Sequence, residues 1–436
     1  MPSIAPAPPS STAVQLGTLG MFILDTFSFL DPVTAEPQGD RGLGIQLGGG
    51  GLYFCIGART ALDPAAIQMI IDTGTDFHPD IRAALERFDR TAPGHSPMVL
   101  AAGREGRPPS MWHFRQRDGQ TTRAVNVYRG EHRGFEYLTP KVRLEVRDLV
   151  LASPTTPPTL PRWIHMICTP QRARDIIQHI DANLAAATAA DLAQTKSLGP
   201  RLVYEPIPDS CVPENLDDCL GLLDRLAVFS PNHEEAAALL GLSEAWQTIS
   251  TTDRSAEVQV EWIKRNLAHG FVERCRAAGV AGNLPLICIR SGKLGCVIGS
   301  DAVGFQHVPA YHTADVEPSH PASSTRVVDV TGAGNAFLGG LTASLVVAAA
   351  AADDARPLRA GQKQEARHLH REAAIHGAVA ASLVIEQLGL PSFDVVKEPA
   401  AAARATGQQA VETWNGATIH SRIEHLRQRV AEQGAA

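Results

Sequence analysis

The sequence predicts an α/β fold in which helices wrap a central, mostly parallel sheet. Three observations carry this reading. Short apolar runs alternate with longer helix-periodic segments along almost the whole chain. A glycine turn, Val330-Thr331-Gly332-Ala333-Gly334-Asn335, joins a β-branched run to a long apolar helix pattern. Between Ser110 and Tyr128 the pattern changes to short, charged, alternating segments around Asp118-Gly119, which reads as a hairpin beside the main sheet. With 436 residues, 44% of them hydrophobic, the chain can bury one large core.

The elements follow in order. Met1 to Ser11 is rich in Pro, Ser and Ala, without the charged and apolar regions of a signal peptide, and residues 1–12 are expected to be a disordered tail. Gln15 to Leu24 is read as the first strand, ending at Asp25. Gly48 to Gly51 opens a helix that runs through Ala61. Ile67 to Ile71 is a buried strand, and Asp80 to Phe88 is its helix. Met111–Phe114 and Ala124–Tyr128 form the two arms of the hairpin. Ser153 to Pro161 is a Pro/Thr-rich connector, after which Trp163 to Cys168 resumes the buried strands. Arg172 to Ala193 is helical by period. Leu202–Pro206, Arg225–Phe229 and Leu286–Arg290 are further strands. Val327–Val330 is a short strand leading into the glycine turn, and a helix follows from Asn335 to Val347. Ala355 to Arg371 is read as a solvated insertion before a helix from Glu372 to Gln387. Pro399 to Gly407 is a low-complexity loop, and Ser421 to Glu432 has helical spacing.

The totals exclude several classes of function. A net charge of −7 offers no basic field for nucleic acid. Seven cysteines, with no C-x-x-C pair, build neither a disulfide framework nor a zinc site, so a reducing compartment fits best. The longest apolar stretch, Phe337 to Ala352, is shorter than the roughly 20 residues of a membrane span. A cytoplasmic protein with no membrane or nucleic-acid partner is expected.

The chemistry is concentrated at Gly332-Ala333-Gly334. Glycines at the start of a helix let backbone N–H groups converge on one point, and the positive end of the helix dipole faces the same place. Such a turn can bind phosphate and stabilise charge during transfer. It can also be a tight turn that needs small residues. A dinucleotide loop is disfavoured, because Phe337 stands where a third glycine belongs.

Asp329-Val330-Thr331-Gly332-Ala333-Gly334-Asn335-Ala336-Phe337 resembles the second signature of the pfkB (ribokinase) family of carbohydrate and nucleoside kinases. Other pieces fall in the same order. Leu19-Gly20 through Asp25 resembles the family's first strand, and Gly49-Gly50-Gly51 resembles the glycines that open its first helix. Thr121 to Arg133 resembles the lid strands, Asn232-His233-Glu234-Glu235 the Asn-x-x-Glu motif, and Ser291-Gly292-Lys293-Leu294-Gly295 the nucleotide-side loop. Leu19–Asp25, Arg59, Tyr137–Lys141 and Glu386–Pro391 resemble the fungal maintenance-of-killer branch of that family.

The resemblance implies a ribokinase-like three-layer αβα fold with a small β lid. The domain would span residues 13–398, with lid strands from about 26–48 and 110–135, and residues 399–436 as a C-terminal appendage. It implies ATP-dependent phosphoryl transfer to a hydroxyl of a small sugar- or nucleoside-like substrate, with Mg2+. Asn335, Gly332, Ala333 and Gly334 would be catalytic. Asp25, Gly49 and Gly50 would hold substrate. Asn232, Arg290, Ser291, Gly292, Gly295 and Thr331 would hold nucleotide, and Glu235 would order the metal. A homodimer or protein partners are compatible with it.

Several positions depart from the family pattern. Asn335 stands where the family has the aspartate that takes the substrate proton, and an amide has no basic lone pair at neutral pH. Arg290 replaces a threonine and can pair with phosphate or with a nearby acid. Tyr53, Phe54 and Cys55 fill the stretch where the family has a substrate-side asparagine. Asp329 and Glu235 also read as turn or helix-start acids, and Asp25 as a loop cap. A catalytically weak or inactive ribokinase-like protein that binds nucleotide or metabolite and works through protein partners is the alternative.

Overall fold

The protein is described by a computed structural model that covers residues 14–435 apart from 40–43, 93–109, 130–131, 154–157, 187–198, 253–254, 281–283, 314–321, 352–359 and 398–409. The expected N-terminal tail and the low-complexity loop at 399–407 lie outside the described residues.

Among those residues, nine strands form the main sheet. In chain order the strands of the protein are β1 (Leu16–Thr18), β2 (Ile23–Leu30), β3 (Gln46–Gly48), β4 (Ile67–Thr73), β5 (Trp112–Gln116), β6 (Arg123–Arg129), β7 (His132–Tyr137), β8 (Trp163–Cys168), β9 (Arg201–Pro206), β10 (Val228–Phe229), β11 (Leu286–Arg290), β12 (Cys296–Ser300), β13 (Gly304–Val308), β14 (Phe393–Lys397) and β15 (Ala410–Trp414). The main sheet runs β13-β12-β11-β10-β9-β8-β1-β4-β5. It is parallel from β11 to β5, and antiparallel only at the β11–β12 and β12–β13 pairs.

Because successive side chains in a strand point to opposite faces, the central strands feed two cores. Val203 and Cys288 join the core that holds Phe54, Leu338, Leu341 and Val379. Their neighbours Leu202, Tyr204, Ile287 and Ile289 join the core on the other face with Ile176, Leu239 and Phe271. The helices Gly50–Arg59, Ala333–Ala351 and Ala360–Ile385 pack together over the first face, and Pro170–Ala186 and His233–Leu239 cover the second. The fold is ribokinase-like: a three-layer αβα arrangement with a small second sheet, β3-β2-β6-β7. The helix Ala333–Ala351 is long and apolar enough in composition to cross a membrane, and here it is a core helix.

Four sequence expectations are corrected. The first strand is two, because β1 pairs in the main sheet while β2 leaves it to pair with β3 and β6. The expected hairpin across Asp118-Gly119 does not form. β5 pairs in parallel with β4 at the sheet edge, and β6 pairs in parallel with β2 and antiparallel with β7. Val327–Val330 is not a strand: Val328 and Val330 are exposed, and Val328 and Asp329 both donate their N–H groups to the Ile385 carbonyl. The helix expected from Glu372 begins at Ala360, so much of the expected solvated insertion is helical.

At the C-terminus β14 and β15 pair antiparallel, and the helix Ile419–Ala435 buries Ile423 and Leu426 in the first core. Arg59 on the helix Gly50–Arg59 makes a buried bidentate ion pair with Glu412 on β15, at 2.8 and 3.0 Å.

Candidate active site

In an open parallel sheet the carboxyl ends of neighbouring strands form one ridge, where ligands of α/β proteins bind. Thr18 is the last residue of β1, Glu205 stands near the end of β9, Ser230 follows β10, and Arg290 ends β11. The sheet order sets these ends side by side. His165 on β8 lies between Thr18 and Glu205.

These residues form one buried polar chain. Thr18 Oγ1 and His165 Nδ1 are 2.9 Å apart, and His165 Nε2 lies 3.4 Å from Glu205 Oε2. The imidazole stacks on Phe54, with ring centroids 3.9 Å apart. Burial pushes His165 below its usual pKa, which keeps it neutral. Asn335, in the first turn of Ala333–Ala351, donates Nδ2 to both Glu205 oxygens, at 3.1 and 3.0 Å.

Arg290 ties the next group in. Its Nη1 is 3.0 Å from Glu205 Oε1, and its Nη2 donates to the Ser230 carbonyl at 2.9 Å and lies 3.6 Å from Glu235 Oε2. Burial alone would raise Glu205, yet Arg290, His165 and Asn335 together hold its carboxyl below the usual range. Burial likewise works against Arg290, and the two acids outweigh it, so the guanidinium is firmly charged. Glu235 is also the partner of Asn232 in a capping box: Asn232 Oδ1 accepts from Glu235 N at 2.8 Å, and Glu235 Oε2 accepts from Asn232 N at 2.7 Å. Burial pushes Glu235 up to about 7, more than Arg290 and the Asn232 N–H offset.

The glycine turn sits directly on this chain. Gly332 has φ +79°, a left-handed conformation that side chains rarely adopt. A Cβ there would lie 2.3 Å from the Tyr53 ring, and one on Gly334 would lie 2.1 Å from Arg290 Nη1. Tyr53 and Arg290 are thus pressed against the turn. Thr331 gives its N–H and its hydroxyl to Asp329 Oδ1, at 3.1 and 2.9 Å, which fixes the entry to the helix.

On the other side, Gly49 (φ +98°) caps the helix Gly50–Arg59, and Gly50 faces Asn335, whose Nδ2 would be 3.3 Å from a Cβ there. Asp25 lies against Gly48, two residues before Gly50, and its charge reaches Tyr137 on β7. Ser291, Gly292 and Gly295 form the tight turn between β11 and β12, where Ser291 N donates to Gly295 O at 2.7 Å.

The structure therefore joins Gly50, Gly334, Asn335, Arg290, Asn232 and Glu235 through direct contacts. Asp25, Thr331 and the Ser291–Gly295 turn border them. Glu205, His165 and Thr18 were not among the residues singled out from sequence. Their one signal is an acid at the end of the apolar run Leu202–Pro206. Two surface cavities, of about 330 and 430 Å3, lie elsewhere, one beside Phe77 and Arg82 and one beside Arg326, Gln387 and Asn415. The described residues contain no group of three or more His, Cys, Asp and Glu placed to hold a metal. The guanidinium of Arg290 stands between Glu205 and Glu235.

No protein-family model matches the chain. An uncharacterised protein of Schizosaccharomyces pombe is 27% identical over 435 residues, covering 98% of this chain and 96% of that protein. Protein MAK32 of Saccharomyces cerevisiae is 25% identical over 391 residues, covering 86% of this chain and 84% of that protein. Among solved structures, ribokinase from Giardia lamblia superposes with a TM-score of 0.52 at 17% identity, covering 86% of this chain and 95% of that one. The resemblance seen in the sequence holds at both levels: the fold is ribokinase-like, and both relatives are fungal proteins, one of them MAK32.

Proposed function

We propose that this protein binds a nucleotide's phosphates at Gly332–Asn335 and transfers a phosphoryl group from ATP to a hydroxyl of a small sugar- or nucleoside-like molecule. One observation carries the reading. The glycine turn and Arg290 on one side, and Gly50 on the other, meet at the Asn335 side chain, so donor and acceptor subsites share a wall.

In the transfer, the bond from the γ-phosphorus to its bridging oxygen breaks and a bond to the acceptor oxygen forms. The N–H groups at the start of Ala333–Ala351 and the charge of Arg290 stabilise the negative oxygens. Asn335 orients the acceptor hydroxyl and cannot take its proton, which passes to an oxygen of the transferred phosphoryl group as the new bond forms. Glu205, 3.0 Å away, is a weak base because Arg290 holds it ionised. A loose transition state asks more of positioning than of basicity. The expected rate is lower than with a carboxylate base by up to about 10²–10⁴-fold. The acids present do not make a metal cage, so the Mg2+ expected at Glu235 has no place in these steps.

The test is ADP release from ATP across a panel of sugars and nucleosides, with Asn335→Ala as the reference. Acceptor-dependent turnover that this variant loses supports the proposal, and turnover no greater than that of the variant refutes it. The second reading, a protein that binds nucleotide without chemistry and works through partners, is favoured by the engagement of Asn335 with Glu205. Tight ADP binding with no turnover on any acceptor would select it.

A further inference from the structure

We propose that Arg290 is the resident cation of this site, so that a nucleotide's phosphates bind there without a divalent metal. The inference rests on the reading of Gly332–Asn335 as a phosphate turn and deepens it. Glu205, near the end of β9, and Glu235, in the first turn of the helix His233–Leu239, converge with the Ser230 carbonyl on one point, and oxygens are the atoms that hard divalent ions take as ligands. A guanidinium fills that point instead. Its Nη1 is 3.0 Å from Glu205 and its Nη2 is 2.9 Å from Ser230 O and 3.6 Å from Glu235. Magnesium requires oxygens at about 2.0–2.1 Å in an octahedron. It cannot enter while Arg290 is seated.

The same guanidinium is aimed at the phosphate turn. Arg290 is 91% buried, and a Cβ on Gly334 would come within 2.1 Å of Nη1. Its Nε is buried without a hydrogen-bond partner among the described residues. Arginine carries five N–H donors in a fixed fork suited to phosphate oxygens. The Nη1 end of that fork lies against Gly334, and Nε keeps an unused donor among the described residues. The two acids orient the fork and keep it charged, while the nearby helix N-terminus adds its own positive end.

The test is calorimetric titration of the purified full-length protein with ADP, once with Mg2+ and once with EDTA. The expected result is the same affinity in both, within about twofold. Binding that needs Mg2+, or weakens more than about tenfold in EDTA, overturns the inference while leaving the phosphate site standing. No ADP binding in either buffer overturns the phosphate reading itself, and this inference with it. Arg290→Thr adds a second readout, because it leaves Glu205 and Glu235 facing each other. Its affinity for ADP in EDTA is expected to fall about 10–100-fold, with Mg2+ recovering part of the loss. Mg2+ is also expected to raise its melting temperature and not that of the parent. A variant that binds ADP in EDTA as tightly as the parent refutes the role of Arg290. If the variant fails to fold, the two titrations of the parent protein decide alone.

Discussion

Asn335 spends its side-chain amide on Glu205, donating Nδ2 to both carboxylate oxygens at 3.1 and 3.0 Å. An aspartate at 335 would put a second carboxylate at that distance in a buried place. One of the two would have to keep a proton, and its pKa would rise. Asn335→Asp is therefore expected to destabilise the protein by about 1–3 kcal/mol at pH 8, and by less at pH 5. Adding Glu205→Gln is expected to restore stability, because an amide can again hydrogen-bond the acid. Urea unfolding of the parent, the single and the double variant checks this. Equal stability of Asn335→Asp and the parent at pH 8 would show that the pair is not coupled. The double variant is also the fair test of whether an acid at 335 raises kinase turnover.

The glycine turn separates strain from crowding. Gly332→Ala forces a side chain into a φ of +79° and drives it into the Tyr53 ring. Gly334→Ala meets no such backbone penalty, but displaces Arg290 from its two acids. Gly332→Ala is expected to lose about 2–4 kcal/mol of stability and Gly334→Ala about 1–3 kcal/mol. Of the two, Gly334→Ala should lose more ADP affinity relative to its change in stability. A Gly334→Ala protein that binds ADP as the parent does would mean that Arg290 and the turn are not functionally joined.

The pH dependence of stability has a defined sign at Glu235. Its folded pKa of about 7 lies above the ordinary 4.5, so the native state binds the proton more tightly. The associated stability is fully present below pH 4.5 and is lost as pH rises through about 7. The loss is on the order of 1–3 kcal/mol. Half-buried His370 and His376, pushed down from 6.5 to about 4 by desolvation, act the other way as the solution becomes acid. The comparison is therefore between the parent and Glu235→Gln. The variant is expected to lose less stability between pH 5 and pH 8, and identical slopes would exclude Glu235 as the titrating group.

Much of this architecture was legible because local patterns and the final pairing agree. The buried runs Trp163–Cys168, Leu202–Pro206 and Leu286–Arg290 are central strands, and the Gly332–Asn335 turn opens a core helix. Where pairing is a long-range choice, local signals misled. Val327–Val330 has strand propensity but no strand beside it. The chain does bend at Asp118-Gly119, yet the runs on either side join different sheets. The site divides in the same way. Asn335, Asn232, Glu235 and Arg290 belong to short motifs that can be read in line. Glu205 and His165 become neighbours of Asn335 only because the order β11-β10-β9-β8-β1 sets their strand ends side by side.

The C-terminal helix hangs on one buried carboxylate. Glu386 accepts from Arg422 Nη1 and Nη2 at 2.6 and 2.9 Å and from Asn415 Nδ2 at 2.8 Å, and it lies 2.9 Å from His312 Nε2. Burial would raise its pKa, but these partners hold it down at about 2. A depressed carboxylate pKa contributes stability that is present above 4.5 and lost as pH falls through about 2. Because Arg422 and Asn415 sit on the C-terminal segment, acid should loosen the helix Ile419–Ala435 and β15 before the nine-stranded sheet. Hydrogen exchange followed as pH falls from 4.5 should show early loss of protection in residues 410–435. Glu386→Gln is expected to show that loss already at neutral pH, because an amide cannot hold the Arg422 fork as a charge partner. Uniform loss across the chain, or a variant indistinguishable from the parent at pH 7, would show that apolar contacts such as Leu426 hold the helix without the ion pair.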